Sequence, residues 1–262
     1  MRVVIKVGTS TLAYSGGRLN IRRVELLCKV LSDLMNAGND IILVSSGAIG
    51  MGVGKLGLAE RPKDMTGKQA AAAIGQCELM YVYDKLFSEY SHTVAQILLT
   101  AEDIQDPRRS VYVHNTLQQL LSWRVLPVVN ENDAVATDEI GIQTTIGEND
   151  TLSAIVAELV NADMLVLLSD IDGLYTADPR KQEDAVLIPF VYEISQEMIS
   201  AAGGSGSALG SGGMSTKIKA AQIAMNAGID MVITNGENPE NLYDVFAGKQ
   251  VGTRFAGKRC PV

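Results

Sequence analysis

The stretch GSGGMSTK, residues 210–217, sets Ser211, Gly212, Gly213, Met214, Ser215, Thr216 and Lys217 against the start of an apolar-periodic segment that reads as a helix. Glycines let backbone N–H groups approach an anion, the unpaired donors of a first helical turn point at it, and a lysine adds a full positive charge. That combination is a seat for phosphate. Composition alone also allows a flexible linker over residues 201–213. The spacing is not that of the common P-loop, because no Gly-Lys pair here is followed by Ser or Thr. A second cation stands near the N-terminus in VVIKVGTS, where Lys6 is surrounded by residues that want burial. A buried ammonium costs several kcal/mol unless paired, so Lys6 needs an anionic partner unless its strand lies at an edge facing water. Gly8, Thr9 and Ser10 then offer a turn with backbone donors.

Further polar clusters follow apolar runs. Ser45, Ser46 and Gly47 come directly after one, placed either to meet a ligand or to cap a helix. Gly52, Gly54 and Gly57 satisfy G-x-G-x-x-G, but they begin well past the strand and no second strand ending in an acid follows, so the dinucleotide reading fails on context. NENDAVA brings four polar residues together, Asn130, Glu131, Asn132 and Asp133, which suits recognition of a charged or amide-bearing small molecule better than a plain turn. In IGEND, Asn149 or Asp150 opens a helix, as cap or as ligand. Ser169, Asp170, Asp172 and Gly173 follow a fifth strand and read as a nucleotide-facing turn, since the ligand alternation and terminal glutamate of an EF-hand are missing.

These clusters need a frame. Short β-branched runs at 3–7, 40–44, 93–99, 125–129, 164–168 and 229–234 read as strands, and helical patterns at 21–35, 67–90, 110–122, 150–161, 217–227 and 239–246 lie among them. The alternation predicts an α/β fold, a mainly parallel sheet covered by helices on both faces, with ligands beyond the carboxyl ends of the strands. A soft boundary near Asn161 separates two lobes, about 1–160 and about 161–262. The 262 residues, 47% apolar, suffice for one sizeable core, and a net charge of −8 argues against a nucleic-acid surface. Three scattered cysteines suit a reducing compartment, and the chain has neither a signal-peptide layout nor an apolar run of the roughly 18 residues a membrane span needs. A cytoplasmic protein with no membrane and no nucleic-acid partner is expected. His92 and His114 lack a nucleophile motif and read as structural, Trp123 as core, and Arg254, Lys258 and Arg259 as a solvated tail.

With VVIKVGTS, VSSGAIGMG, VLPVVNENDAVA, GENDTLSA, LLSDIDGLYTADPR and GSGGMSTK in that order, the chain closely resembles the amino acid kinase family over nearly its whole length, and within it the branch that phosphorylates glutamate. The resemblance implies a three-layer αβα sandwich forming a single kinase domain, its first lobe binding the amino acid and its second the nucleotide. It implies ATP and Mg²⁺ as cosubstrates, the metal held mainly through ATP phosphates, and L-glutamate as acceptor in the first step of proline synthesis. By similarity, Lys6 and Lys217 hold the transferring phosphate and Asp150 orients them. Ser46, Asp133 and Asn149 bind glutamate. Lys6, Gly8, Ser169, Asp170 and Ser211 to Lys217 hold ATP. The same resemblance implies a homo-oligomer, dimer or tetramer, proline as feedback inhibitor and a glutamyl phosphate reductase as partner. Many relatives continue into a PUA domain that this chain, ending at Val262, is expected to lack; Glu148 stands where some relatives carry Asp, which keeps the charge.

The chemistry suits these residues. A side-chain carboxylate with a reference pKa of about 4.3 is already a nucleophile at neutral pH, so no general base is needed. The obstacle is bringing one anion to another: two unit charges about 4 Å apart at an effective dielectric of about 20 interact by about 4 kcal/mol, which cations must offset. Rival acceptors are N-acetylglutamate, aspartate, carbamate or a nucleoside monophosphate, and a non-catalytic amino-acid sensor is a reading from another class. Asp133 favours a free ammonium over an acetylated one, and a sensor need not keep Lys6, Asp150 and Lys217 together.

Overall fold

A six-residue apolar strand, β1 (Arg2–Val7), lies at the middle of the sheet and is hydrogen-bonded on both sides. In the computed structural model of the chain, residues 1–14, 18–135, 148–201 and 213–258 are described. The elements that follow are α1 (Thr9–Leu12), α2 (Ile21–Asn36), β2 (Asp40–Ser45), α3 (Ala48–Leu56), α4 (Met65–Ser88), β3 (Val94–Leu99), α5 (Ala101–Gln105), α6 (Pro107–Ser122) and β4 (Leu126–Glu131). Then come α7 (Asn149–Leu159), β5 (Met164–Ser169), β6 (Phe190–Val191), α8 (Gln196–Ala201), α9 (Met214–Asn226), β7 (Asp230–Asn235), α10 (Asn241–Phe246) and β8 (Thr253–Phe255).

The strand order is β3-β4-β2-β1-β5-β7-β8-β6. From β3 to β7 every pairing is parallel, whereas β8 runs antiparallel to β7 and parallel to β6. Strands buried on both faces read as continuous apolar runs, which is why VVIKV, DIILVS and MLVLLS carry no alternation. β1 connects in sequence to β2 on one side and pairs with β5 on the other, so the order reverses at β1 and a crevice opens at its carboxyl end. Period-two geometry sorts β1: Val3, Ile5 and Val7 join the core under α2 and α4, while Val4 joins the core under α7 and α9. Lys6, two residues after Val4, is therefore directed to the α7 and α9 face.

The six expected parallel strands are present, with boundaries shifted by a residue or two. Three features differ. The glycine-rich stretch after β2 is a helix, α3, because Gly52 and Gly75 let it pack directly on α4: a Cβ on Gly75 would lie 1.7 Å from the carbonyl oxygen of Ala48, and one on Gly52 1.9 Å from that of Ala71. Gly52 and Gly54 thus sit inside a helix, and Gly57 ends it in the left-handed conformation, φ 64°. Trp123, expected in the core, is 67% exposed, since α6 ends at Ser122 and the chain turns outward there. Arg254, expected in a solvated tail, belongs to β8 and pairs with Asp230 at 2.6 Å. Lys258 does follow the last strand as an exposed residue, and Arg259 lies outside the described residues. The histidines are structural as expected: His114 Nδ1 lies 2.7 Å from the carbonyl oxygen of Leu159, and His92 Nε2 3.3 Å from that of Ser32.

Candidate functional site

Lys6 is 9% exposed and its ammonium lies 2.7 Å from Asp150 Oδ1. With β2 and β5 on either side of its strand, the edge-strand alternative is gone. Lys217, 6% exposed, approaches from α9 and places its ammonium 3.1 Å from the other oxygen, Asp150 Oδ2, which also accepts a hydrogen bond from Thr216 Oγ1 at 2.8 Å. Two cations 211 residues apart in sequence (217 minus 6) thus meet on one carboxylate that is 2% exposed. Burial by itself would raise the Asp150 carboxyl, but the charges of Lys6 and Lys217 and the hydrogen bonds from Lys6 and Thr216 outweigh it and hold the group well below the usual carboxylate range. Asp150 lies in the first turn of α7, where the helix dipole adds to the preference for an anion. It is a ligand of the lysines; the cap position belongs to Glu148, whose side chain makes no capping bond.

One crevice beyond the carboxyl ends of the central strands is lined by Lys6, Gly8, Ser46, Asp133, Asn149, Asp150, Ser169, Asp170 and Lys217, so nine of the residues singled out in the sequence share one space. At Gly8 a Cβ would meet Lys6 Nζ at 3.6 Å, so the backbone there lies close beside the ammonium. Gly213 precedes α9 without any side-chain cap, and Met214, Ser215 and Thr216 form the first turn, whose backbone donors face this end of the helix. Ser211 and Gly212 lie outside the described residues.

The crevice has two sides. On the side of β2 and β4, Asn149 Nδ2 donates to Ser46 Oγ at 2.8 Å and to Asn130 Oδ1 at 3.0 Å, and Asn130 Nδ2 donates to Gln76 Oε1 at 2.9 Å. Asn130 is 1% exposed, so within NENDAVA it is the buried strut, while Glu131 and Asp133 face the crevice. Burial, reinforced by the neighbouring Asp133 charge, pushes the Glu131 carboxyl up to about 7. Burial also raises Asp133, with Arg61 opposing it. Glu148 is raised by burial and by Asp150 against the pull of Lys217, Lys219 and Lys6, and its Oε2 is buried without a hydrogen-bond partner among the described residues. On the side of β5 and β7, Ser169 Oγ donates to Asp170 Oδ1 at 3.2 Å, and Arg180 holds Asp170 Oδ2 at 3.1 Å. Asp172 accepts from Asn235 Nδ2 at 2.8 Å and from the Tyr175 hydroxyl at 3.1 Å.

Arg61 and Gln76 escaped the sequence reading. A lone arginine before a proline carries no pattern, and Gln76 sits mid-helix on α4 with nothing to mark which way it faces.

A crevice at the switch point of a parallel sheet, with two lysines converging on a helix-borne aspartate, defines an enzyme that handles phosphoryl groups, and the sequence model of the amino acid kinase family matches residues 1–235: the chain belongs to that family. Among curated relatives it is similar to the glutamate 5-kinase of Clostridium tetani, 57% identical over 97% of this chain and 93% of the relative, and to that of Clostridium perfringens, 53% identical over 98% and 96%. The glutamate 5-kinase of Caldanaerobacter subterraneus is 50% identical over 100% of this chain, which spans 69% of that relative. Solved structures share the fold at low identity: carbamate kinase from Giardia lamblia bound to AMP-PNP has a TM-score of 0.66 at 18% identity, covering 98% of both chains. Isopentenyl phosphate kinase of T. acidophilum has 0.64 at 19%, covering 97% of this chain and 100% of the other.

Proposed function

We propose that the chain transfers the γ-phosphoryl group of ATP to the γ-carboxylate of L-glutamate, as the name glutamate 5-kinase of its 51–57% identical relatives supports. The convergence of Lys6 and Lys217 on Asp150 is the observation that carries it. A carboxylate oxygen of the acceptor forms the new bond to phosphorus, the bond from phosphorus to the β,γ-bridging oxygen breaks, and the electron pair leaves on ADP. Acceptor and nucleotide are both anions, so the two ammonium groups offset their repulsion and the charge spread over the transferring oxygens. Asp150 keeps both lysines extended into the crevice. The nucleotide is held on the β5 and β7 side by Ser169, Asp170 and the segment Ser211 to Lys217 that leads into α9, with Gly8 and Lys6 at the phosphates. Glutamate lies on the β2 and β4 side against Ser46, Asp133 and Asn149. These two sides correspond to the lobes about 1–160 and about 161–262. Mg²⁺ would be held mainly through the ATP phosphates, and Glu148, whose Oε2 has no partner among the described residues, is the carboxylate of the crevice that would meet it. The ion supplies further neutralisation of phosphate charge.

The same reading carries proline as feedback inhibitor, a homo-oligomeric assembly, a reductase that consumes the acyl phosphate and a cytoplasmic location. No helix among the described residues is long and apolar enough to cross a membrane. The test is ADP release with glutamate, N-acetylglutamate, aspartate, carbamate and UMP as acceptors, with hydroxylamine present to trap the acyl phosphate as a hydroxamate. ADP and hydroxamate formed with glutamate in preference to the others support the assignment. Release with another acceptor instead, or binding of glutamate without any release, rejects it.

A further inference from the structure

We propose that Arg61 receives the α-carboxylate of the acceptor and so confines the reaction to acceptors that carry one; this rests on the glutamate reading above. Glutamate brings three charges. Its γ-carboxylate must lie at Lys6 and Lys217, which leaves an ammonium and a second carboxylate bonded to one carbon, to be met by opposite charges placed side by side. The crevice offers three cations, Lys6, Lys217 and Arg61. The lysines are committed to Asp150. Arg61 has no ion pair among the described residues, lines the same crevice as Glu131 and Asp133, and lies near enough for its charge to act on Asp133. An acid pair beside a free guanidinium is the complement of an α-amino acid head group, and the planar fork of arginine matches a carboxylate with two parallel hydrogen bonds.

The chain also fixes where Arg61 sits. It lies in the connection between α3 and α4, and Pro62 holds the residue before it in an extended conformation. Pro62 in turn packs on the first turn of α4, where a Cβ on Gly67 would lie 2.7 Å from Pro62 Cβ, and Asp64 caps that turn by accepting from Gly67 N at 2.7 Å. Arg61 thus hangs from a braced corner. Without it, an acceptor of net charge −1 would enter past Glu131, Asp133 and Glu148 with no cation of its own before reaching the lysines.

The experiment compares the wild type, Arg61→Ala and Arg61→Lys with three acceptors: glutamate, its α-amide, and 4-aminobutyrate, which keeps the ammonium and the reacting carboxylate but lacks the α-carboxylate. Steady-state constants are measured for each, or Ki against glutamate where turnover is too slow. In Arg61→Ala the glutamate KM should rise roughly 10- to 100-fold, the range expected for losing a hydrogen bond to a charged group. The KM for ATP and the constants for the α-amide and 4-aminobutyrate should stay within about two-fold, because these never used the guanidinium. Arg61→Lys should recover part of the loss. An unchanged glutamate KM in Arg61→Ala overturns the proposal, as does an equal loss for all three acceptors, which would mark Arg61 as a support of the fold. A wild type that releases no ADP with glutamate overturns the acceptor assignment first, and this proposal with it.

Discussion

Asp150 is the residue on which Lys6 and Lys217 meet, and its environment sets what its neighbours can do. On the proposed mechanism, replacing Lys217 by Met removes one of the two charges that meet the transferring group while keeping the apolar stem, so kcat should fall roughly 100-fold or more, measured by ADP release beside a melting curve that shows the variant folded, at a lower midpoint because Asp150 loses a partner. Unaltered turnover in a folded variant would take Lys217 out of the reaction. Glu131 gives a pH prediction. Its folded value, about 7, lies above its ordinary 4.5, so the folded protein binds this proton more tightly than the unfolded chain does. Stability from this group is therefore present below 4.5 and lost as pH rises towards 7, and Glu131→Gln should raise the melting temperature at pH 8 but not at pH 4. Activity runs the other way. An ionised Glu131 is the better neighbour for an ammonium, so kcat/KM for glutamate should climb as pH passes through 7 in the wild type and lose that step in Glu131→Gln. At this scale the sequence made Lys6, Asp150 and Lys217 visible, because a lysine in an apolar strand and one beside a glycine-rich turn each ask for an anion. It could not show that Glu131 and Asp133 crowd each other, which depends on how the chain turns after β4.

At the scale of elements, the parallel strands were readable because strands buried on both sides must be apolar throughout, and length separates them from helices. The helix α3 was not, since four glycines in ten residues, at 47, 50, 52 and 54, look locally like a loop. Contact with α4 explains Gly52, where the backbone at Ala71 leaves no room for a side chain, as the backbone at Ala48 leaves none on Gly75 of α4, while Gly47 opens the helix in the left-handed conformation. Gly75→Ala should therefore push α3 and α4 apart at a cost of about 1–3 kcal/mol, the usual range for overpacking. Because Gly47, Ala48, Ile49 and Gly50 line the crevice just beyond β2, on the proposed acceptor side, the glutamate KM should rise more than the ATP KM. Denaturant unfolding and two-substrate kinetics measure both effects, and a variant as stable as the wild type would mean that the helices have room. Trp123 failed for a related reason, since an amphipathic stripe in the sequence does not reveal where its last residue leaves the surface.

For the whole molecule, the boundary near Asn161 falls between α7 and β5, yet β5 pairs directly with β1 and one sheet runs through both parts. The chain should unfold in a single transition: fluorescence of its one tryptophan, on the β4 side, and far-ultraviolet circular dichroism should give the same denaturant midpoint. Two separated midpoints would show that the parts melt independently. Composition suggested the two-part division and periodicity the sheet, but that the sheet is continuous follows from the strand order, which no local pattern encodes. The placement of charges over that sheet has a further consequence. Lys6 hangs from the central strand and Asp150 and Lys217 from α7 and α9, deep in the frame, whereas Arg61 and Asp133 sit on connections at the rim and Glu131 ends β4 beside them. Substitutions at the rim should therefore disturb few packed atoms, so the choice of acceptor can be altered there while the lysine–aspartate core beneath keeps its packing.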